Sequence, residues 1–149
     1  MVDFMTTTQR SRAMSKVSGK NTKPEIEIRS GLHRYGFRFR LNDKKLPGKP
    51  DIVLRKYSKI IFVHGCFWHH HESCSKSKMP QTRKEFWGNK IRNNVIRDQK
   101  NIEKLENMGW CVAIVWECAT KTQKNLINTI DALNRWIKKG RSCIEIPEP

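Results

Sequence analysis

Two short apolar runs, Asp51-Ile-Val-Leu-Arg55 and Lys59-Ile-Ile-Phe-Val63, are separated only by Lys56-Tyr57-Ser58. So short a joint returns the chain antiparallel, which predicts a β-hairpin. Both runs are apolar at consecutive positions rather than at every second one, so both faces of the hairpin must be covered. The hairpin is thus expected inside a sheet with packed layers above and below it. With Lys56-Tyr57-Ser58 as the turn, pairing follows a residue-number sum of about 114, which sets Asp51 opposite Val63.

The flanking sequence supplies helices for those layers. Thr22-Lys-Pro-Glu25 has the spacing of a capping box, with proline in the first turn where a missing N–H does no harm. Ile28, Leu32 and Tyr35 follow at helical spacing, and Gly36 stops the helix. Arg38 to Leu41 reads as a short strand, and Pro47-Gly48 with Pro50 as a loop. A long helix is expected over 82–108, with Phe86, Ile91, Val95, Ile102 and Leu105 as its apolar stripe and Gly109 at its end. Trp110 to Trp116 reads as a buried strand. A last helix is expected over 124–139, lined by Leu126, Ile130, Leu133 and Ile137 and ended by Gly140. The order α-β-β-β-α-β-α predicts an α/β fold, a mixed central sheet with helices on both faces. The long helix is of a length suited to a parallel crossover between the third and fourth strands. Residues 1–149 are expected as one domain. The polar, basic residues 1–21 are expected as an N-terminal arm that contacts DNA.

Charge narrows the function. The chain carries 30 Lys+Arg against 14 Asp+Glu, a formal net charge of +16, and the first hundred residues hold nearly all of the excess. A field of that sign attracts polyanions, nucleic acid foremost. No run approaches the roughly 18 apolar residues of a membrane span, and no apolar leader opens the chain. The expectation is a cytoplasmic protein, monomeric and without a membrane partner. Five cysteines in a reducing compartment read as thiols or metal ligands rather than a disulfide framework.

The chemistry concentrates in His64-Gly-Cys-Phe-Trp-His-His-His-Glu-Ser-Cys74. Cys66, His71 and Cys74 offer zinc three ligands in the spacing C-x4-H-x2-C. Cys118, just past the fourth strand, emerges at the same sheet end as Cys66 if the third and fourth strands are parallel. Cys111 lies seven residues earlier, some 23 Å away along a strand (about 3.3 Å per residue), and is expected as a buried thiol. Cys143, in the tail, stays open as an alternative fourth ligand. Three thiolates and one imidazole close a tetrahedron, so this zinc is expected to be structural. His64, His69 and His70 are then left for proton transfer or phosphate contact. Asp51 lies close by in the hairpin and Glu25 can join it from the helix start. With a backbone carbonyl, these make a hard oxygen site suited to Mg²⁺. Phe67 and Trp68 on the pinned loop are either core or apolar wedges for a base stack.

At this point the chain resembles a known family. Leu46-Pro-Gly-Lys-Pro-Asp51, Phe62-Val-His-Gly-Cys-Phe-Trp-His-His-His71, Arg83-x-x-Phe-Trp87 and Trp110-x-x-x-x-Val-Trp-Glu-Cys118 are similar to the very-short-patch mismatch-repair endonucleases. The similarity runs from about Met14 to Cys118, and the spacing between His71 and Cys74 is one residue longer than the family's. The resemblance implies a fold like that of type II restriction endonucleases with a structural zinc. It implies nicking on the 5′ side of the thymine of a T:G mismatch that arises when 5-methylcytosine deaminates in a methyltransferase site. It implies Mg²⁺ on Asp51 and the Val63 carbonyl, Glu25 orienting water, His69 as general base and His64 at the phosphate. Cys66, His71, Cys74 and Cys118 would hold zinc, and Phe67, Trp68 and Met14 would wedge beside the mismatch. The implied partners are mismatched duplex DNA, a cytosine-5 methyltransferase, and downstream mismatch-repair proteins and a DNA polymerase. Two alternatives stay beside this one: a restriction-like nuclease for other DNA sites or structures, and a zinc module that binds DNA without cutting it.

Overall fold

A computed structural model describes residues 22–72 and 74–148. Their elements are α1 (Lys23–Arg34), β1 (Arg40–Leu41), β2 (Ile52–Leu54), β3 (Lys59–His64), α2 (Lys84–Asn107), β4 (Cys111–Trp116), α3 (Gln123–Lys139) and β5 (Ile144–Ile146). The strands form one mixed sheet in the order β1-β2-β3-β4-β5. β1, β2 and β3 are antiparallel neighbours, whereas β3–β4 and β4–β5 are parallel. The long α2 makes the crossover between β3 and β4, as its length requires. No helix among the described residues is long and apolar enough to cross a membrane.

Consecutive apolar residues in the central strands divide between two cores. Ile52, Leu54, Ile61, Ala113 and Val115 pack with Ile28 and Leu32 of α1 and Leu126, Leu133 and Ile137 of α3. On the other face, Val53, Ile60, Phe62 and Val112 meet Leu105 of α2, with Leu46 and Ile102 at the border. The covering helices therefore stand two on one face and one on the other.

Several expectations change in detail. The hairpin register follows Ile52↔Ile61 and Leu54↔Lys59, a sum of 113, so Asp51 falls in line with Phe62 rather than Val63. The reason lies in the turn. Arg55–Tyr57 form a single 3₁₀ turn closed by Ser58 in the left-handed region, so Arg55 belongs to the loop and the ladder starts one pair earlier. The Thr22 hydroxyl does not cap a backbone amide; it donates to Glu25 Oε1 at 3.2 Å. On α2, Ile91 and Leu105 are buried, while Phe86 is 44% exposed and stands outside both cores. β5 is an added strand, three half-buried residues on the outer edge of β4. The expected 1–21 arm, Met14 included, lies outside the described residues.

α1 and α3 approach closely at Gly31, where an added Cβ would lie 2.0 Å from Ile130 Cδ1. Gly88 on α2 has nothing within 4 Å of the same position. Gly31→Ala should therefore destabilise by about 1–3 kcal/mol through overpacking, less what the better helix former returns. Gly88→Ala should stabilise by up to ~1 kcal/mol. Urea unfolding of the two variants checks the opposite signs.

Candidate active site and metal centre

Both sites lie where β3 and β4 end. Parallel pairing in the register Val63↔Val115 and His64↔Trp116 brings the segments that follow each strand to one edge of the sheet. Clefts at the C-terminal ends of parallel strands are the usual ligand positions of such sheets.

The first cluster is Cys66, His71, Cys74 and Cys118, whose ligand atoms all lie within 4.8 Å of one another. His71 Nδ1 is 3.6 Å from Cys66 Sγ and 3.5 Å from Cys118 Sγ, so Nδ1 is the nitrogen turned to the centre. The loop is held from several sides. His71 N–H donates to the Cys66 carbonyl at 2.9 Å, and the Ser77 hydroxyl lies 2.7 Å from the His71 carbonyl and 2.8 Å from that of Cys74. Cys66 N–H donates to Glu117 Oε1 at 3.1 Å, and the His71 ring stacks on Trp116 at 4.4 Å. The longer His71–Cys74 interval leaves all four donors together. Cys111 is not in this group. Neither is Cys143, whose Sγ instead accepts from the Val112 N–H at 3.4 Å. Burial raises the Cys66 thiol, and the nearby Cys118 sulfur adds to the shift. Burial raises Cys118 as well, with Cys74 contributing. Three sulfurs and an imidazole crowded so closely favour thiolates only beside a cation, and the donor set fits tetrahedral Zn²⁺.

The second cluster opens into a cleft of about 620 Å³ on the α2 side of the sheet. Asp51, His64 and His69 all line it. Asp51 Oδ2 accepts from the Val63 N–H at 2.7 Å, so it caps β3 although it is not in register with Val63. Burial lifts the Asp51 carboxyl to about 7; the Glu25 charge adds to the rise, while the Val63 amide, Arg29 and His69 oppose it. Glu25 itself is buried, with its Oε2 3.0 Å from Arg29 Nη2. Carboxylates confined in this way fit a hard divalent cation, whose charge would reverse the penalty on Asp51.

His64 and His69 are stacked face to face, with ring centres 3.8 Å apart and planes 6° from parallel. Lone pairs in two parallel planes do not converge, so the rings are poorly set to ligate one ion together. They suit proton transfer and hydrogen bonding instead. His64 is buried, and burial, with His69 second, lowers its pKa to about 3, so the ring is neutral near pH 7. Among the described residues its Nδ1 finds no partner. His69 Nδ1 meets Asp98 Oδ2 at 2.5 Å. His70 is exposed, with φ +53.

Asp98 escaped the sequence reading. The signal was present, because Asp98 interrupts the α2 stripe of Ile91, Val95, Ile102 and Leu105 with a carboxylate. A charge on the buried side of a helix needs a partner. Trp87 stood in the Arg83-x-x-Phe-Trp87 motif but was given no role of its own. It joins Phe67 and Trp68 in an aromatic wall, with ring centres 5.2 Å (Phe67–Trp68), 5.6 Å (Phe67–Trp87) and 5.8 Å (Trp68–Trp87) apart. Phe86 adds an edge at 5.3 Å from Trp87. The three wall residues are half-buried and belong to neither core. Asn94 Nδ2 donates to the Trp68 carbonyl at 3.1 Å, tying the wall to α2.

The chain is similar in sequence to known DNA mismatch endonucleases and nicking enzymes. The family model described as DNA mismatch endonuclease Vsr matches residues 2–76. A type II nicking enzyme of Neisseria meningitidis is 46% identical over 138 residues, covering 93% of this chain and 98% of its own. The DNA mismatch endonuclease Vsr of Escherichia coli K12 is 42% identical over 139 residues, 92% of this chain and 88% of its own. A type II nicking enzyme of Xanthomonas oryzae is 46% identical over 118 residues, 79% of this chain and 86% of its own.

The four-donor cluster predicts one tightly held Zn²⁺ per chain. Cys118→Ser should lower both the metal content and the thermal midpoint, whereas Cys111→Ser should leave the metal content unchanged. Elemental analysis of the purified variants measures the first, and a melting curve with and without chelator the second.

Proposed function

Because the chain belongs to the Vsr family of DNA mismatch endonucleases, we propose that it nicks one strand of duplex DNA on the 5′ side of the thymine in a T:G mismatch. The observation that carries this reading is the His69–Asp98 pair, set in one cleft with Asp51 and backed by a wall of three aromatic rings. The mismatch arises by deamination of 5-methylcytosine. The enzyme thus works beside a cytosine-5 methyltransferase, and its nick opens the strand to mismatch-repair proteins and a polymerase.

Asp51 and the Val63 carbonyl would hold Mg²⁺, and Glu25 would orient water there. When bound, the ion supplies charge neutralisation at the scissile phosphate and acidifies water. The protein's own groups do the rest. The Asp98 carboxylate fixes His69 with its proton on Nδ1, which leaves the Nε2 lone pair free to take a proton from the attacking water. Neutral His64 lies against His69 and offers a hydrogen bond to the phosphate. Phe67, Trp68 and Trp87 enter the base stack beside the mismatch, with Met14 from the N-terminal arm. A T:G pair is already weakly stacked, so wedging there costs less than at a matched pair. Cys66, His71, Cys74 and Cys118 would hold Zn²⁺ and so fix the loop that carries Phe67, Trp68 and His69.

Nicking of a T:G duplex should require Mg²⁺ and stop with Asp51→Ala while DNA binding persists; a pure binding module would be indifferent to that change. His69→Ala should lower the single-turnover rate by roughly 10²–10⁴-fold. Asp98→Asn should lower it less, on the order of 10–100-fold, since it orients the base without being one. Trp68→Ala and Trp87→Ala should reduce the ratio of T:G to matched binding. Equal losses on both duplexes would assign these rings to packing alone.

A further inference from the structure

The cleft that holds Asp51 and His69 also collects cations. Lys44 and Lys49 stand on its loop wall and Arg97 on its α2 wall. On its floor, Asp51 and Asp98 place two acids where a phosphodiester anion must come. Cations on the rim are what make such a floor accessible to DNA.

Lys49 is held in an unusual way. The Lys49 N–H donates to the Leu46 carbonyl at 3.0 Å, closing a turn with Gly48 at φ +75. A Cβ at Gly48 would come within 3.1 Å of both Phe62 and Asn101, so the turn runs hard against the cleft. Lys49 follows at φ +52, a left-handed conformation disfavoured for any residue with a side chain. Glycine would satisfy that backbone better, yet the sequence places a lysine there, two residues before Asp51. Local strain of this kind is characteristic of functional positions. Arg97 is held from the opposite wall. Its Nη2 donates to Asn94 Oδ1 at 3.1 Å, and the Asn94 amide donates in turn to the Trp68 carbonyl. One asparagine therefore anchors both the guanidinium and the aromatic wall.

We infer that Lys49 and Arg97 are the two arms of a phosphate clamp, gripping the backbone of the strand to be cut from both sides of the cleft. The inference rests on the proposed nicking function and adds to it the residues that hold the cut strand. Asn94 is the positioning residue that links this grip to the aromatic wall.

The test is binding of fluorescent T:G and matched duplexes without Mg²⁺, as a function of salt. Lys49→Gly and Arg97→Gln should each weaken binding to both duplexes about three- to tenfold. Each should also reduce the slope of log K against log salt by about 0.9, the loss of one phosphate contact. Lys49→Gly keeps the left-handed turn, so its melting temperature should hold or rise; Lys49→Arg should restore the slope. A neutral methylphosphonate beside the cleavage site should weaken binding by the wild-type chain and have little further effect on the variants. An unchanged salt slope in either variant, or a methylphosphonate effect that persists undiminished in both, overturns the clamp. The salt slope on matched DNA needs no cleavage. A wild-type chain that fails to nick T:G duplexes would count against the proposed function instead.

Discussion

The parallel pairing of β3 with β4 is the constraint on which the rest of this structure depends. It sets His64 beside Trp116, so the chain leaving β3 and the chain leaving β4 start from adjacent points. Cys66 and Cys118 follow two residues later on each, which is how a cysteine 52 positions away in sequence joins Cys66, His71 and Cys74. The same edge turns His69 back over His64 and toward α2, the helix that makes the crossover possible. Crossover, four-donor cluster and histidine pair are consequences of one strand pairing.

Electrostatics gives the site its character. Burial lifts the Asp51 carboxyl, and the nearby Glu25 charge adds to the rise. Burial holds His64 neutral, while Asp98 orders His69 from the other side. The sheet floor therefore combines hard oxygen donors with two stacked imidazoles, one buried and one held by a carboxylate. Hydrolysis of a phosphodiester needs that combination: a place for a cation, and a base able to accept a proton at neutral pH. The basic excess of the chain as a whole then acts at longer range and draws DNA toward a floor that is itself acidic.

Much of this was legible in the sequence, because the strongest signals were local and periodic. The doubly apolar hairpin required two covering layers, and Ile52/Leu54 and Val53 do face different cores. The ligand spacing and the sheet-end position of Cys118 located the four-donor cluster, and Cys111 stays in its strand. What escaped depended on details finer than pattern. The hairpin register moved by one residue because the 3₁₀ turn recruited Arg55 and a left-handed Ser58. β5 is only three residues long and carries no periodic signal. Phe86 was assigned to an apolar stripe by spacing alone, yet it is exposed and meets the Trp87 ring instead of either core. Asp98 was hidden for the opposite reason: a single charge in a helical stripe looks like noise until its partner, 29 residues earlier, is in view.

The measurement that bears most directly on the account is the position of the cut. A duplex carrying one T:G pair, labelled in turn on each strand, is incubated with the full chain and Mg²⁺, and the products are resolved at single-nucleotide length. The account predicts a nick in the thymine-bearing strand alone, at the phosphate 5′ to the mismatched thymine, and no product from the matched duplex or in the presence of EDTA. Cutting of both strands, or equal cutting of matched and mismatched duplexes, would contradict it.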